Sequence, residues 1–171
     1  LDLKAGLRMF REAELIHVCA PHAELSFDRW PQLPDETPVL IKLGGQASLA
    51  GGWKVSCESW RLPTLAKEQA EENEDPFQVW LDAGELPDSF ILRVRHQGDH
   101  FSPLGMDGHS QKLSDFFVNE KLPQRARDHW PLVCAGGEVV WVPGFRRAHR
   151  RRLKNTARDV FYFSVQHPHD K

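Results

Sequence analysis

Arg93-Val94-Arg95-His96-Gln97-Gly98-Asp99-His100-Phe101-Ser102-Pro103-Leu104-Gly105-Met106-Asp107-Gly108 is the stretch on which the reading of this chain turns. It begins inside an extended run, Phe90-Ile91-Leu92-Arg93-Val94-Arg95, whose period of two places Arg93 and Arg95 on one face. Beyond it, Gly98, Gly105 and Gly108 permit positive φ and close approach, and Pro103 stiffens the path. These signals describe a structured loop rather than a catalytic one. Asp99 could serve as a catalytic carboxylate, but a short acid in such a turn more simply accepts backbone N–H bonds or orients an arginine.

Downstream, Ser110 is placed to cap a helix from Gln111 to Asn119, in which Leu113, Phe116 and Phe117 share an apolar stripe. Pro123 breaks the pattern, and residues 124–129 suit one or two helical turns. Leu132-Val133-Cys134 and Val139-Val140-Trp141-Val142 flank Ala135-Gly136-Gly137-Glu138, a hairpin signal because the tip needs positive φ. Val160 to Val165 reads as a final strand.

Upstream, Leu7 to Val18 reads as two short strands around a polar turn, and Val39 to Leu43 as a short apolar strand. Trp53 to Trp60 alternates with period two, and Phe77 to Leu81 forms a further strand. Lys67 to Asp75 is almost wholly polar and reads as a solvated loop in preference to a helical turn. No internal repeat appears. The sum is an α+β fold, a β-rich unit with two short helices between strands.

The chain has 171 residues, enough to bury a real core, and 40% hydrophobic with 10% aromatic residues excludes general disorder. No apolar run approaches the ~20 residues of a membrane-spanning helix, and no signal-peptide pattern opens the sequence. Cys19, Cys57 and Cys134 fit neither a disulfide framework nor a CxxC site, which points to buried thiols in a reducing cytoplasm. A net charge of −2 hides an uneven distribution. Residues 1–87 hold 8 Lys/Arg against 15 Asp/Glu, and residues 88–171 hold 14 against 9. The chain therefore divides into an acidic β-rich part (1–87) and a basic domain (88–171), the two separate or packed as one unit. The split suggests that one part meets a polyanion; two differently solvated surfaces would give the same numbers.

Arg146-Arg147-Ala148-His149-Arg150-Arg151-Arg152-Leu153-Lys154 concentrates the positive charge. Guanidinium groups grip phosphate oxygens bidentately, so a nucleic-acid backbone would relieve their mutual repulsion. The competing reading is a solvated edge that discourages sheet-to-sheet association. Lys112, Lys121, Arg125 and Arg127 could extend the basic surface with Arg93 and Arg95. Phe145, beside the run, is the best candidate to stack on a base, whereas Trp130 and Trp141 belong in the core. His96, His100 and His109 lack a fourth ligand at suitable spacing, so no metal site is expected.

Taken together, Arg93-x-Arg95, Gly98-Asp99, Phe101, Pro103, Gly105-Met106, Gly108, Lys112-Leu113, Asp115-Phe116-Phe117, Lys121-Leu122-Pro123, Arg127-Asp128, Trp130-Pro131 and Trp141-Val142-Pro143-Gly144 form a pattern. It resembles the C-terminal region of bacterial tRNA(Ile)-lysidine synthase, over about a third of the chain. The resemblance implies a fold like that region and like a domain of the phenylalanyl-tRNA synthetase β chain. It also implies a tRNA-binding appendage, without catalytic residues of its own, to an ATP- and Mg-dependent ligase that joins lysine to the wobble cytidine of isoleucine tRNA. Partners would be that tRNA and the catalytic domain of the same polypeptide, with a homodimer possible, in the cytoplasm. Two departures stand out: Gln111 replaces the first lysine of the usual Lys-Lys-Leu, and Phe145 separates Gly144 from Arg146. Leu43-Gly44-Gly45-Gln46-Ala47-Ser48 lacks the first serine and the aspartate of the family's ATP loop. The alternative from another class is a protein-interaction or dimerisation module that binds no nucleic acid.

Overall fold

The computed structural model describes residues 2–3, 6–12, 15–23, 25–63, 66–154 and 156–168. Short apolar runs between Gly, Pro and polar breakers become strands, and three antiparallel sheets carry most of them. β1 (Asp2–Leu3), β2 (Leu7–Glu12) and β3 (Leu15–Cys19) form a small amino-terminal sheet in that order. A second sheet joins β4 (Val39–Lys42), β8 (Ser89–Arg93), β11 (Leu132–Ala135) and β12 (Glu138–Trp141) in the order β12-β11-β8-β4. The third joins β5 (Gln46–Ser48), β6 (Lys54–Arg61), β7 (Gln78–Asp82) and β13 (Asp159–Gln166) in the order β5-β6-β13-β7. Strands from both sides of residue 87 pair directly: Leu40 lies opposite Ile91, and Phe163 lies between Cys57 and Val79.

The two four-stranded sheets share one core, because alternate residues of each strand point to the same side. Ile41, Phe90, Leu92, Val133, Val140 and Trp141 meet Val55, Cys57, Val79, Leu81, Phe161 and Phe163 there. Phe90 presents its ring edge-on to Phe161 and Phe163, at centroid distances of 5.4 and 4.8 Å. The opposite faces of β11 and β12 carry Leu132, Cys134 and Val139 into a second core with α2 (Leu113–Asn119). Every residue of β11 is therefore buried, which explains its unbroken apolar run. Burial pushes the Cys57 thiol up to about 12 and the Cys134 thiol up to about 11.

Leu113, Phe116 and Phe117 are almost completely buried, as their helical spacing requires. The helix starts later than Ser110, however. Gln111 and Lys112 instead form β10 (Gln111–Lys112), paired with β9 (His100–Phe101), and Lys112 occupies the N-cap position without a side-chain cap bond. Pairing to the loop outweighs the local capping signal. At the other end, the Lys121 N–H donates to Val118 O and the Leu122 N–H to Phe117 O. That is a Schellman closure, and Lys121 takes the positive φ (58°) that glycine ordinarily supplies.

The polar stretch expected to be a loop contains α1 (Ala66–Glu71). Tertiary contacts stabilise this short helix: Ala70 is buried, and Glu71 accepts hydrogen bonds from Arg147 and from the Leu153 N–H. Residues 124–129 hold a single 3-10 turn, Gln124–Ala126. The hairpin tip has positive φ at both Gly136 (56°) and Gly137 (86°), as its type of turn demands.

Candidate nucleic-acid interface

The basic run is fixed through its backbone. The Val142 N–H donates to Arg146 O, the Ala148 N–H to Val140 O, and the Leu104 N–H to Arg147 O. The His149 N–H then donates to Ser102 O at 2.8 Å. Residues 146–149 are thus zipped between β12 and the 102–104 loop, and a 3-10 turn, His149–Arg151, follows. This arrangement makes one wall of a cleft of about 520 Å³. Asp99, Ser102 and Ser110 line one side; Glu138, His149 and Arg150 line the other. Gly108, at φ 80°, passes so near the imidazole that a Cβ there would lie 3.6 Å from it. His149 Nδ1 is buried and has no hydrogen-bond partner among the described residues.

Arginines adjacent in sequence have different fates. Arg147 is buried, pairs with Glu71 and donates to Trp80 O at 3.2 Å. Burial pulls it below the ordinary arginine value, with Glu71 opposing. Arg146 is more exposed and reaches Glu120 at 3.1 Å, and Arg151 lies 3.6 Å from Glu138. Arg150, Arg152 and Lys154 are exposed and form no ion pair among the described residues.

Elsewhere several expected contact residues are engaged by partners within the protein. Arg93 holds Asp99 with two bonds of 2.6 and 3.0 Å, and Asp99 also accepts from the His96 N–H at 2.7 Å. Burial alone would raise the Asp99 pKa; the bonds from Arg93 and His96 outweigh it and hold the carboxyl below its ordinary value. Arg95 bonds Asp128 at 2.6 Å, and Arg127 Nε donates to Leu122 O. Arg125 spends its donors on Glu12, Leu25 O and Ser26 O while stacking over Phe27 and Trp30. It clamps distant segments together. Phe145, the expected stacking residue, packs against Trp130 and Phe116 at 5.5 and 6.0 Å on the helix-side core. Lys112 and Lys121 remain exposed and unpaired among the described residues.

Sequence reasoning did not find Glu71, Glu12 or the unpartnered nitrogen of His149. The first two lie far along the chain from the arginines they hold, and no local pattern couples them. In residues 43–48, Gly44 and Gly45 form a turn into β5, and Ala47 is buried in the core. Among the described residues no three His, Cys, Asp or Glu side chains are grouped to hold a metal ion.

Residues 90–160, which carry the Arg93–Asp99 pair, the cleft and the basic run, match the family model described as the TilS substrate C-terminal domain. Over these residues the chain is similar to the TilS C-terminal domain. A relative named tRNA(Ile)-lysidine synthase, from Symbiobacterium thermophilum, is 47% identical over 173 aligned positions, covering 97% of this chain and 33% of that protein. The protein of the same name from Bacillus subtilis is 43% identical over 153 positions, covering 86% and 29%. Another, from Caldanaerobacter subterraneus, is 39% identical over 87 positions, covering 50% and 18%. The chain thus spans between about a fifth and a third of the length of these relatives. A crystal structure titled as the TILS C-terminal domain superposes with a TM-score of 0.64 at 20% identity, over 78% of this chain and all of that one. That likeness establishes the α+β TilS C-terminal fold.

Proposed function

We propose that this chain is the tRNA-binding portion of a tRNA(Ile)-lysidine synthase and that it grips isoleucine tRNA through phosphates. The observation that carries the reading is the exposed, unpaired set Arg150, Arg152 and Lys154, presented on a backbone fixed beside a cleft with an unsatisfied imidazole nitrogen. Charges held ready without internal partners suit a polyanion, and phosphate contacts fix position without reading base sequence. Lys112 and Lys121 add further cations on the same domain. Ligation of lysine to the wobble cytidine, with ATP and Mg, then belongs to a catalytic domain outside the residues described, in the cytoplasm.

Titration of labelled tRNA at several salt concentrations tests this. If about five phosphates are neutralised, log K should fall with log salt at a slope of roughly −3.5 to −4.5. Replacing Arg150, Arg152 and Lys154 by alanine should flatten the slope and weaken all tRNAs alike. A competing reading, a protein-interaction or dimerisation module, draws on the exposed Leu15, Ile16 and Val18 of the edge strand β3. It takes over if the triple variant binds as the parent does, with the same slope.

A further inference from the structure

We infer that the groove between β2 and residues 121–128 is a second phosphodiester-binding site, built jointly by the amino-terminal sheet and the TilS-type domain. It rests on the reading of this chain as an RNA binder and gives residues 1–87, acidic in sum, a direct part in it.

The groove has a volume of about 690 Å³, and Arg8 from β2, on the strand face it shares with Phe10 and Glu12, lines it together with Lys121 and Arg127. The two carboxylates among its described lining residues are already neutralised. Glu12 takes three bonds from Arg125, and Asp128 takes one from Arg95 at 2.6 Å. The described lining is therefore cationic in net effect although it lies partly in the acidic half of the sequence. Arg125 also fixes its width, since the same side chain reaches Leu25 O and Ser26 O and stacks on Trp30 at 4.5 Å.

Two independent features, one of Arg8 and one of Lys121, support a ligand there. Arg8 Nε is buried and unsatisfied, with the guanidinium carbon 5.4 Å from the Phe10 ring centroid. A buried N–H without an acceptor costs free energy unless something completes it. Lys121 occupies the left-handed position of the Schellman closure, where glycine is free of strain, and its ammonium group is exposed and unpaired among the described residues. The left-handed backbone there favours glycine, so lysine is held at a cost in strain that its exposed ammonium group does not relieve within the protein. A planar guanidinium lying on an aromatic ring, opposite a flexible ammonium, suits a phosphate with its neighbouring base more than a lone carboxylate.

The groove also adjoins the cleft described above. Asp128 binds Arg95, and Arg95 lines a smaller hollow with Lys112 and Ser114. That hollow shares Gly98 and Asp99 with the cleft at His149. A strand of RNA could follow these three recesses from Arg150 to Arg8.

The test uses the whole chain, labelled tRNA and the double variant Arg8→Gln, Lys121→Gly, which removes both charges and leaves glycine where the backbone favours it. Affinity should fall about tenfold and the salt slope should flatten by about 1.4 to 1.8 units, for two phosphates that are no longer neutralised. Arg8→Lys alone should keep the parent slope. On the unmutated protein, the Arg8 Nε–H resonance should shift on addition of tRNA. The inference is overturned if the double variant matches the parent while the Arg150, Arg152 and Lys154 alanine variant loses affinity. It is equally overturned if the Arg8 signal moves with poly-L-glutamate and not with RNA, which would assign the groove to an acidic peptide. Loss of tRNA binding by the parent itself would instead bring down the broader reading on which it stands.

Discussion

The arginines of the segments around residues 93 and 125 differ from those of the 150–154 turn in what faces them. Arg93, Arg125 and Arg147 each meet a carboxylate: Asp99, Glu12 and Glu71. Arg150, Arg152 and Lys154 meet none among the described residues. A guanidinium taken out of water without a counter-charge is too costly to tolerate, so the inward group comes with partners and the outward group stays available. Arg147 teaches the most, because it lies in the basic run and yet belongs with the inward set. A cluster of positive residues in a sequence is not, residue for residue, a binding surface.

Several measurements would break or sharpen that contrast. The scale is set by Phe116→Ala, which removes a fully buried ring between Phe101 and Phe145 and should cost about 3–5 kcal/mol in chemical denaturation. An unchanged midpoint would mean that α2 does not pack as described. Arg147→Ala should come next, at about 2–3 kcal/mol, because it strands Glu71 and uncaps the Trp80 carbonyl; Glu71 is partly exposed, which keeps the loss below that of a fully buried pair. Its effect on tRNA should be no greater than its effect on the folded fraction. Alanine at Arg150, Arg152 and Lys154 together should leave stability within about 0.5 kcal/mol of the parent. A large thermal destabilisation would place these side chains with the inward set.

The smallest effect concerns pH. The Asp99 carboxyl lies below its ordinary value, so its stabilising contribution is complete above the unfolded-state value of about 4 and drains away as the pH falls through the lower folded-state value. Asp99→Asn should therefore unfold more easily than the parent at pH 7, and the difference should shrink on acidification. A gap that widens in acid would show that Arg93 does not hold Asp99 as an ion pair.

How far the sequence announced this architecture depended on distance along the chain. The apolar stripe at Leu113, Phe116 and Phe117 is a local period of 3.6, and the Gly136-Gly137 tip is a local turn requirement, so both were legible. The TilS-type pattern from Arg93 to Gly144 was legible too, because its spacings are fixed. Arg125 looked available because its partner, Glu12, lies 113 residues away. The 66–71 helix escaped notice because its polar face is anchored by Arg147 and the Leu153 N–H, which no window around it contains. Ser110 failed as a cap because Gln111 and Lys112 were recruited into pairing with His100 and Phe101. Phe145 misled for the same reason as Arg147: proximity to a charged run in sequence says nothing about which way a side chain turns.

The placement of β13 between β6 and β7 has a consequence for how the chain reaches its native state. Trp60 pairs with Val160, and Val79 with Phe163, so the middle member of that sheet is supplied long after both of its neighbours. On a translating ribosome β6 and β7 must wait, β6 with one row of backbone donors and acceptors open, β7 with no strand partner at all, and Val55, Cys57, Val79 and Leu81 uncovered. Such sequence-distant pairing slows folding and lengthens the exposure of sticky intermediates. Release of a nascent chain stalled before residue 159 should therefore yield a species that aggregates, whereas one stalled beyond residue 166 can close the sheet in a single late step.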